Sequence, residues 1–275
     1  MNYNIERFNY QVIGDQAPEK LVFLHGIMGQ GKNWRSIAKH FSRKFQCLIY
    51  DQRGHGHSVH PETDYGLKDY AEDLKAILEG LAWGDPIHLV GHSMGGRVAV
   101  QFASLHPELL KSLVIVDIGP TSDWASMQGI LDKLNFVPTP FADRAQAREF
   151  METQFLSKFP NPMVMEFFYS NLEQKEDGGW DWIFEPAAIR QSLEASRVLD
   201  FWAEFHGLSM PTLLLRGEKS PDFKQEDFEK VVANNPHIRG EVVPGAGHWV
   251  HAEQPRKTIS LMENFFQMDV GLIEC

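Results

Sequence analysis

A chain of 275 residues, 43% hydrophobic and 23% charged, has the make-up of an ordinary globular protein with room for a substantial core. Its 26 basic and 37 acidic residues give a formal charge of -11, which argues against a nucleic-acid or anionic-membrane partner. The start, MNYNIERFNYQVIG, lacks a basic-then-apolar leader, no apolar run approaches the roughly 20 residues that span a membrane, and a disulfide between Cys47 and the terminal Cys275 is not expected, so a cytoplasmic protein is the reading.

In chain order, the apolar run LVFL (21–24) reads as a strand ending at His25-Gly26, and CLIY (47–50) as another ending at Asp51. Residues 68–81 have helical periodicity. A third strand, 87–90, runs into Gly91-His92-Ser93-Met94-Gly95, followed by a helix over 96–105 and a strand over 113–116 that ends at Asp117. Strands alternating with helices predict a mostly parallel sheet covered on both faces. From 121 to about 206 the pattern changes to Phe-, Trp- and Met-rich segments with helical spacing, proline stops and no convincing strand. Strands return at 211–217 and 239–243, and a helix closes the chain over 255–268. The expected organisation is a core of residues 1–120 and 207–275 interrupted by a helical lid over 121–206.

The Gly-x-Ser-x-Gly run carries the chemistry. A strand, a tight turn and a helix would lift Ser93 out of the top of the sheet, and the turn demands small residues two positions away on either side. Serine needs a base. His248, in PGAGHWVH between the last strand and the last helix, is the expected one, whereas His251 reads as a capping or packing residue and His92 is held by the turn itself. For the carboxylate that orients the imidazole, two positions are open: Asp117 after its unbroken strand, and Asp222 in GEKSPDF. Asp117 is favoured, with Ser220 as a supporting hydrogen-bond donor. In HGIMG, the backbone N–H of Ile27, together with that of Met94, should form an oxyanion site, and His25 should orient this loop.

DQRGHGHS resembles a phosphate loop only superficially, since no Gly-Lys-Ser/Thr follows. An Asp51–Arg53 pair steadying a turn is expected there, and no metal, because further ligands at zinc-site spacing are missing. Trp124, Met127, Phe136, Phe167, Phe168, Trp180 and Trp182 suggest an apolar acyl pocket, although most such residues would simply pack lid against core.

HGIMG, DQRGHGHS, GHSMGG and GAGHWVHAEQP together resemble the α/β-hydrolase superfamily over nearly the whole length. VDIGP, and Ser220 where a Gly-x-x-Asp is common, are similar to bacterial YbfF-type esterases and mammalian ABHD-type relatives. That resemblance implies Ser93, Asp117 and His248 as a triad with Ser220 close by, and hydrolysis of small acyl esters and, in some members, acyl-CoA thioesters. The expected protein is a hydrolase of small to medium acyl esters that needs no cofactor and works as a monomer or homodimer. Gly95-Gly96-Arg97 also resembles the menaquinone-pathway lyase of the same fold, which uses an acid at the position of Ser220. That lyase or a C–C hydrolase is the alternative, followed by a non-catalytic ligand-binding member of the fold.

Overall fold

The computed structural model describes residues 5–14, 17–122, 124–197 and 200–271. Nine strands occur among them: β1 (Tyr10–Ile13), β2 (Glu19–Leu24), β3 (Phe45–Tyr50), β4 (Ile87–His92), β5 (Leu110–Val116), β6 (Leu172–Gln174), β7 (Trp180–Trp182), β8 (Thr212–Gly217) and β9 (Ile238–Val243). Seven form one sheet in the order β1-β3-β2-β4-β5-β8-β9. All neighbours run parallel except β1, which pairs antiparallel with β3 at the edge. The core is thus a mostly parallel sheet, as the strand–helix alternation predicts, and an arrangement of the kind that the α/β-hydrolase resemblance implies.

The central strands are apolar throughout because both faces of the sheet are covered. Val22, Leu24, Leu89 and Ile115 pack with the helices Leu67–Gly80 and Met94–Leu105 on one face. Leu21, Phe23, Val90 and Val114 alternate onto the other, against Trp34, Ile37, Leu261 and Phe265. Cys47 is fully buried there as a free thiol, and burial pushes its pKa up to about 12; Cys275 lies outside the described residues. No helix among the described residues is long and apolar enough to cross a membrane.

Two elements depart from the expectation. β1 is short and half exposed, so it carries no apolar run. Between β5 and β8 the chain is mostly helical, but β6 and β7 pair as an antiparallel hairpin, with Leu172 opposite Trp182. Its three-residue strands are too short to show a period. This segment packs around its own cluster, which includes Met127, Phe150, Phe155, Phe168 and Trp182 and which reaches Met28 of the core.

Candidate active site

Parallel strands deliver their carboxyl ends to one edge of the sheet, the usual ligand-binding edge of such sheets. His25, Asp51, Ser93 and Asp117 each directly follow a strand there. Ser93 turns the chain from β4 into the helix Met94–Leu105 with φ 53° and ψ -120°, a conformation that L-residues rarely adopt. Its N–H is held by the Val116 carbonyl at 3.0 Å. The flanking glycines are required by packing. A Cβ on Gly91 would lie 2.2 Å from the Gly95 carbonyl oxygen, and one on Gly95 would lie 2.6 Å from the carbonyl oxygens of Leu24 and His25.

Across the edge, His248 donates from Nδ1 to Asp117 Oδ2 at 2.8 Å, with Asp222 Oδ2 farther off at 3.4 Å. Asp117 is fully buried, also with positive φ (52°), and its carboxylate is pinned from two more sides. Gly217 N–H donates to Oδ1 at 2.7 Å and Ser220 Oγ to Oδ2 at 2.5 Å. Asp222 instead accepts from the Ser126 hydroxyl. Burial of the His248 ring works to lower its pKa, but the Asp117 hydrogen bond and the charges of Asp222 and Asp117 outweigh it, so the pKa is raised. With Nδ1 protonated toward Asp117, Nε2 of the neutral ring is the basic nitrogen.

Three other histidines at this edge are held by their neighbours. His25 Nε2 accepts from Gln52 N–H at 2.9 Å, so the ring is neutral with its proton on Nδ1, which donates to the Gly26 carbonyl at 2.8 Å. Burial lowers its pKa accordingly. This ring ties the HGIMG loop to the loop after β3. His92 donates from Nε2 to the His248 carbonyl at 2.9 Å, and burial together with the neighbouring rings holds it well below the usual histidine range. His251 stacks on Trp34 at 4.1 Å.

These residues face one cavity of about 830 Å³, lined by Ile27, Ser93, Met94 and His248 from the core and by Met127, Phe167 and Phe168 from the inserted segment. Of the seven aromatic and Met residues of the inserted segment singled out in the sequence, these last three line the cavity, while Trp124, Phe136, Trp180 and Trp182 do not. Met94 opens its helix, so its N–H has no intrahelical acceptor.

The α/β hydrolase fold family matches residues 20–255. The chain belongs to this family. It is 34% identical over 260 residues to the zebrafish (Danio rerio) protein named sn-1-specific diacylglycerol lipase ABHD11, covering 92% of this chain and 80% of that one. It is 26% identical over 267 residues to esterase YbfF of Escherichia coli, covering 96% and 99%. A solved structure titled "Marine microorganism esterase" superposes with a TM-score of 0.82 at 30% identity, covering 94% of this chain and 98% of that one.

In this α/β hydrolase the expected Asp51–Arg53 pair does not form. Asp51 accepts from Gly31 N–H at 2.7 Å and from Asn9 Nδ2 at 2.7 Å, bracing loops that start from β2 and β3. Arg53 pairs bidentately with Asp73 of the helix Leu67–Gly80, at 2.5 and 2.6 Å, with both side chains buried. Adjacency in sequence favoured the wrong partner, because an acidic residue 20 positions on reaches back only through helix packing. No sequence pattern marks Ser126, whose hydroxyl hydrogen-bonds Asp222, and Arg97, met in the sequence only within Gly95-Gly96-Arg97, stands in the cavity wall. Arg97 had a usable signal: four positions after Ser93 on one helix is the same helical face.

Proposed function

We propose that this carboxylic ester hydrolase works through an acyl-enzyme on Ser93, with His248 as base, Asp117 as the carboxylate and Ser220 supporting Asp117. The observation that carries the reading is the Nδ1–Asp117 hydrogen bond at 2.8 Å, which leaves Nε2 as base beside the cavity that holds the strained Ser93 turn. His248 takes the Ser93 proton as Oγ attacks the acyl carbonyl. Backbone N–H groups of Ile27 and Met94 receive the oxyanion, each donor contributing about 3 kcal/mol to the transition state. Asp117 stabilises the imidazolium, which then protonates the departing alcohol or thiol; water repeats the sequence and releases the acid.

Residues 121–206 act as the lid in this reading, contributing Met127, Phe167 and Phe168 to an apolar acyl wall. The substrates are esters or thioesters of small to medium acyl groups, acyl-CoA among them, in line with the esterase and lipase names of the relatives. Wild-type protein should hydrolyse p-nitrophenyl butyrate, and Ser93→Ala should lose that activity by a factor on the order of 10⁴ or more. Retention of activity in Ser93→Ala would rule out this mechanism.

A further inference from the structure

The ester chemistry leaves a buried charged side chain in the cavity wall unused. Arg97 lies one helical turn beyond Ser93, its amide donating to the Ser93 carbonyl at 3.1 Å, and its side chain lines the cavity while only 6% exposed. A guanidinium offers five N–H donors in a rigid fork. Here Nη2 donates to the Thr121 carbonyl at 3.2 Å, while Nε is buried without a hydrogen-bond partner. Among the described residues no carboxylate pairs with it. The carboxylate whose charge acts on it is Asp222, which is engaged by the Ser126 hydroxyl and turned toward His248.

A buried guanidinium facing one neutral acceptor is costly unless a counter-charge arrives. Shedding the proton is no escape: burial, against the pull of Asp222, lowers its pKa only to about 10, so the group stays charged at neutral pH. The cavity carries further positive charge. Lys133, Lys158 and Lys219 also line it, against Asp222 and Glu253, so the lining carries more cationic than anionic side chains although the chain as a whole has a formal charge of -11. Such a cleft favours anions.

The anion must fit beside the reacting carbonyl. The leaving group has to lie next to His248, which protonates it, so the acyl chain is the part free to run along the helix toward Arg97. One helical turn is about 5.4 Å, the reach of a few methylenes. A single planar guanidinium holds a carboxylate bidentately and balances its one charge, whereas a phosphate dianion, though held by the same fork, brings a second negative charge beside Asp222.

We propose that Arg97 is a specificity-determining residue that binds a substrate carboxylate, and that the preferred substrates are monoesters or thioesters of short dicarboxylic acids. This deepens the reading of Ser93 as nucleophile and rests on it. The test compares kcat/KM for monomethyl glutarate with that for its neutral isostere, methyl glutaramate. Wild-type protein should favour the acid by about tenfold or more, Arg97→Gln should bring the ratio near one, and Arg97→Lys should fall between. No preference in the wild type, or a preference that survives in Arg97→Gln, overturns the proposal.

Should Arg97→Gln not fold, inhibition of wild-type p-nitrophenyl butyrate hydrolysis decides. Competition by glutarate and not by glutaramide supports the carboxylate site; equal or absent competition overturns it. Hydrolysis of p-nitrophenyl butyrate with no preference for the acid ester would remove this inference and leave the serine-hydrolase reading standing. If no ester of any kind is hydrolysed, the hydrolase reading fails, and calorimetric binding of glutarate, lost in Arg97→Gln, judges the Arg97 site separately.

Discussion

Two carboxylates face the Nδ1 edge of His248, Asp117 at 2.8 Å and Asp222 at 3.4 Å. Asp117 is fully buried and fixed by Gly217 and Ser220, so it orients the ring with little freedom; Asp222 is half-buried and tied to Ser126. Asp117→Asn should therefore cut kcat/KM by a factor on the order of 10³–10⁴, and Asp222→Asn by less than about ten. The pH profile separates their roles further. His248 must be neutral to act as base, so activity rises with pH through its pKa, which lies above the ordinary 6.5. The charge of Asp222 helps to raise that pKa, so the acid limb of kcat/KM should move to lower pH in Asp222→Asn. A larger kcat loss in Asp222→Asn than in Asp117→Asn would reverse the assignment. Sequence alone left this choice open, because Asp222 reaches the ring through a turn after Pro221 that no pattern specifies.

Among the elements, the turn after β8 has no slack. A Cβ on Gly217 would come 2.0 Å from the Gly247 carbonyl oxygen, and Gly217 N–H is one of the donors to Asp117. Gly217→Ala must push β8 away from the loop that carries His248. We expect a stability loss of roughly 1–3 kcal/mol in denaturant unfolding, and a fall in kcat larger than the fall in folded fraction. Unchanged stability and activity would show that the two loops move independently. Legibility at this scale follows burial. The strands β2, β4, β5 and β8 were readable as apolar runs because both sheet faces are covered, and their ends carried His25, Ser93 and Asp117 with them. Exposed β1 and the β6–β7 hairpin had no such signal, and the partners Arg53–Asp73 and Ser126–Asp222 are joined only by tertiary packing.

Over the whole molecule, the fold buries several neutral histidines, and this sets its response to acid. His88 is 1% exposed with its pKa lowered to about 4, and His251 is 6% exposed with its pKa lowered to about 3, both mainly by burial. In the unfolded chain these rings titrate near 6.5, so below that pH the unfolded state binds more protons and stability falls. The loss runs from about pH 6.5 downward, costing about 2 kcal/mol per ring by pH 5. His92 and His55, also buried and held well below the usual range, add to it, while His248, shifted upward, opposes it. Denaturant unfolding at pH 7.5 and pH 5 should differ by several kcal/mol; equal stabilities would mean that these rings accept protons in the folded state.

All of this chemistry converges on Ser93, and the direct measurement is the mass of the intact protein during turnover. Rapid acid quenching of wild-type protein during turnover of p-nitrophenyl butyrate should reveal up to one butyryl group per chain, mapped to Ser93 and missing from both Ser93→Ala and His248→Ala. Hydrolysis that proceeds with no acyl group on Ser93, or with the same adduct in Ser93→Ala, would contradict the account at its centre.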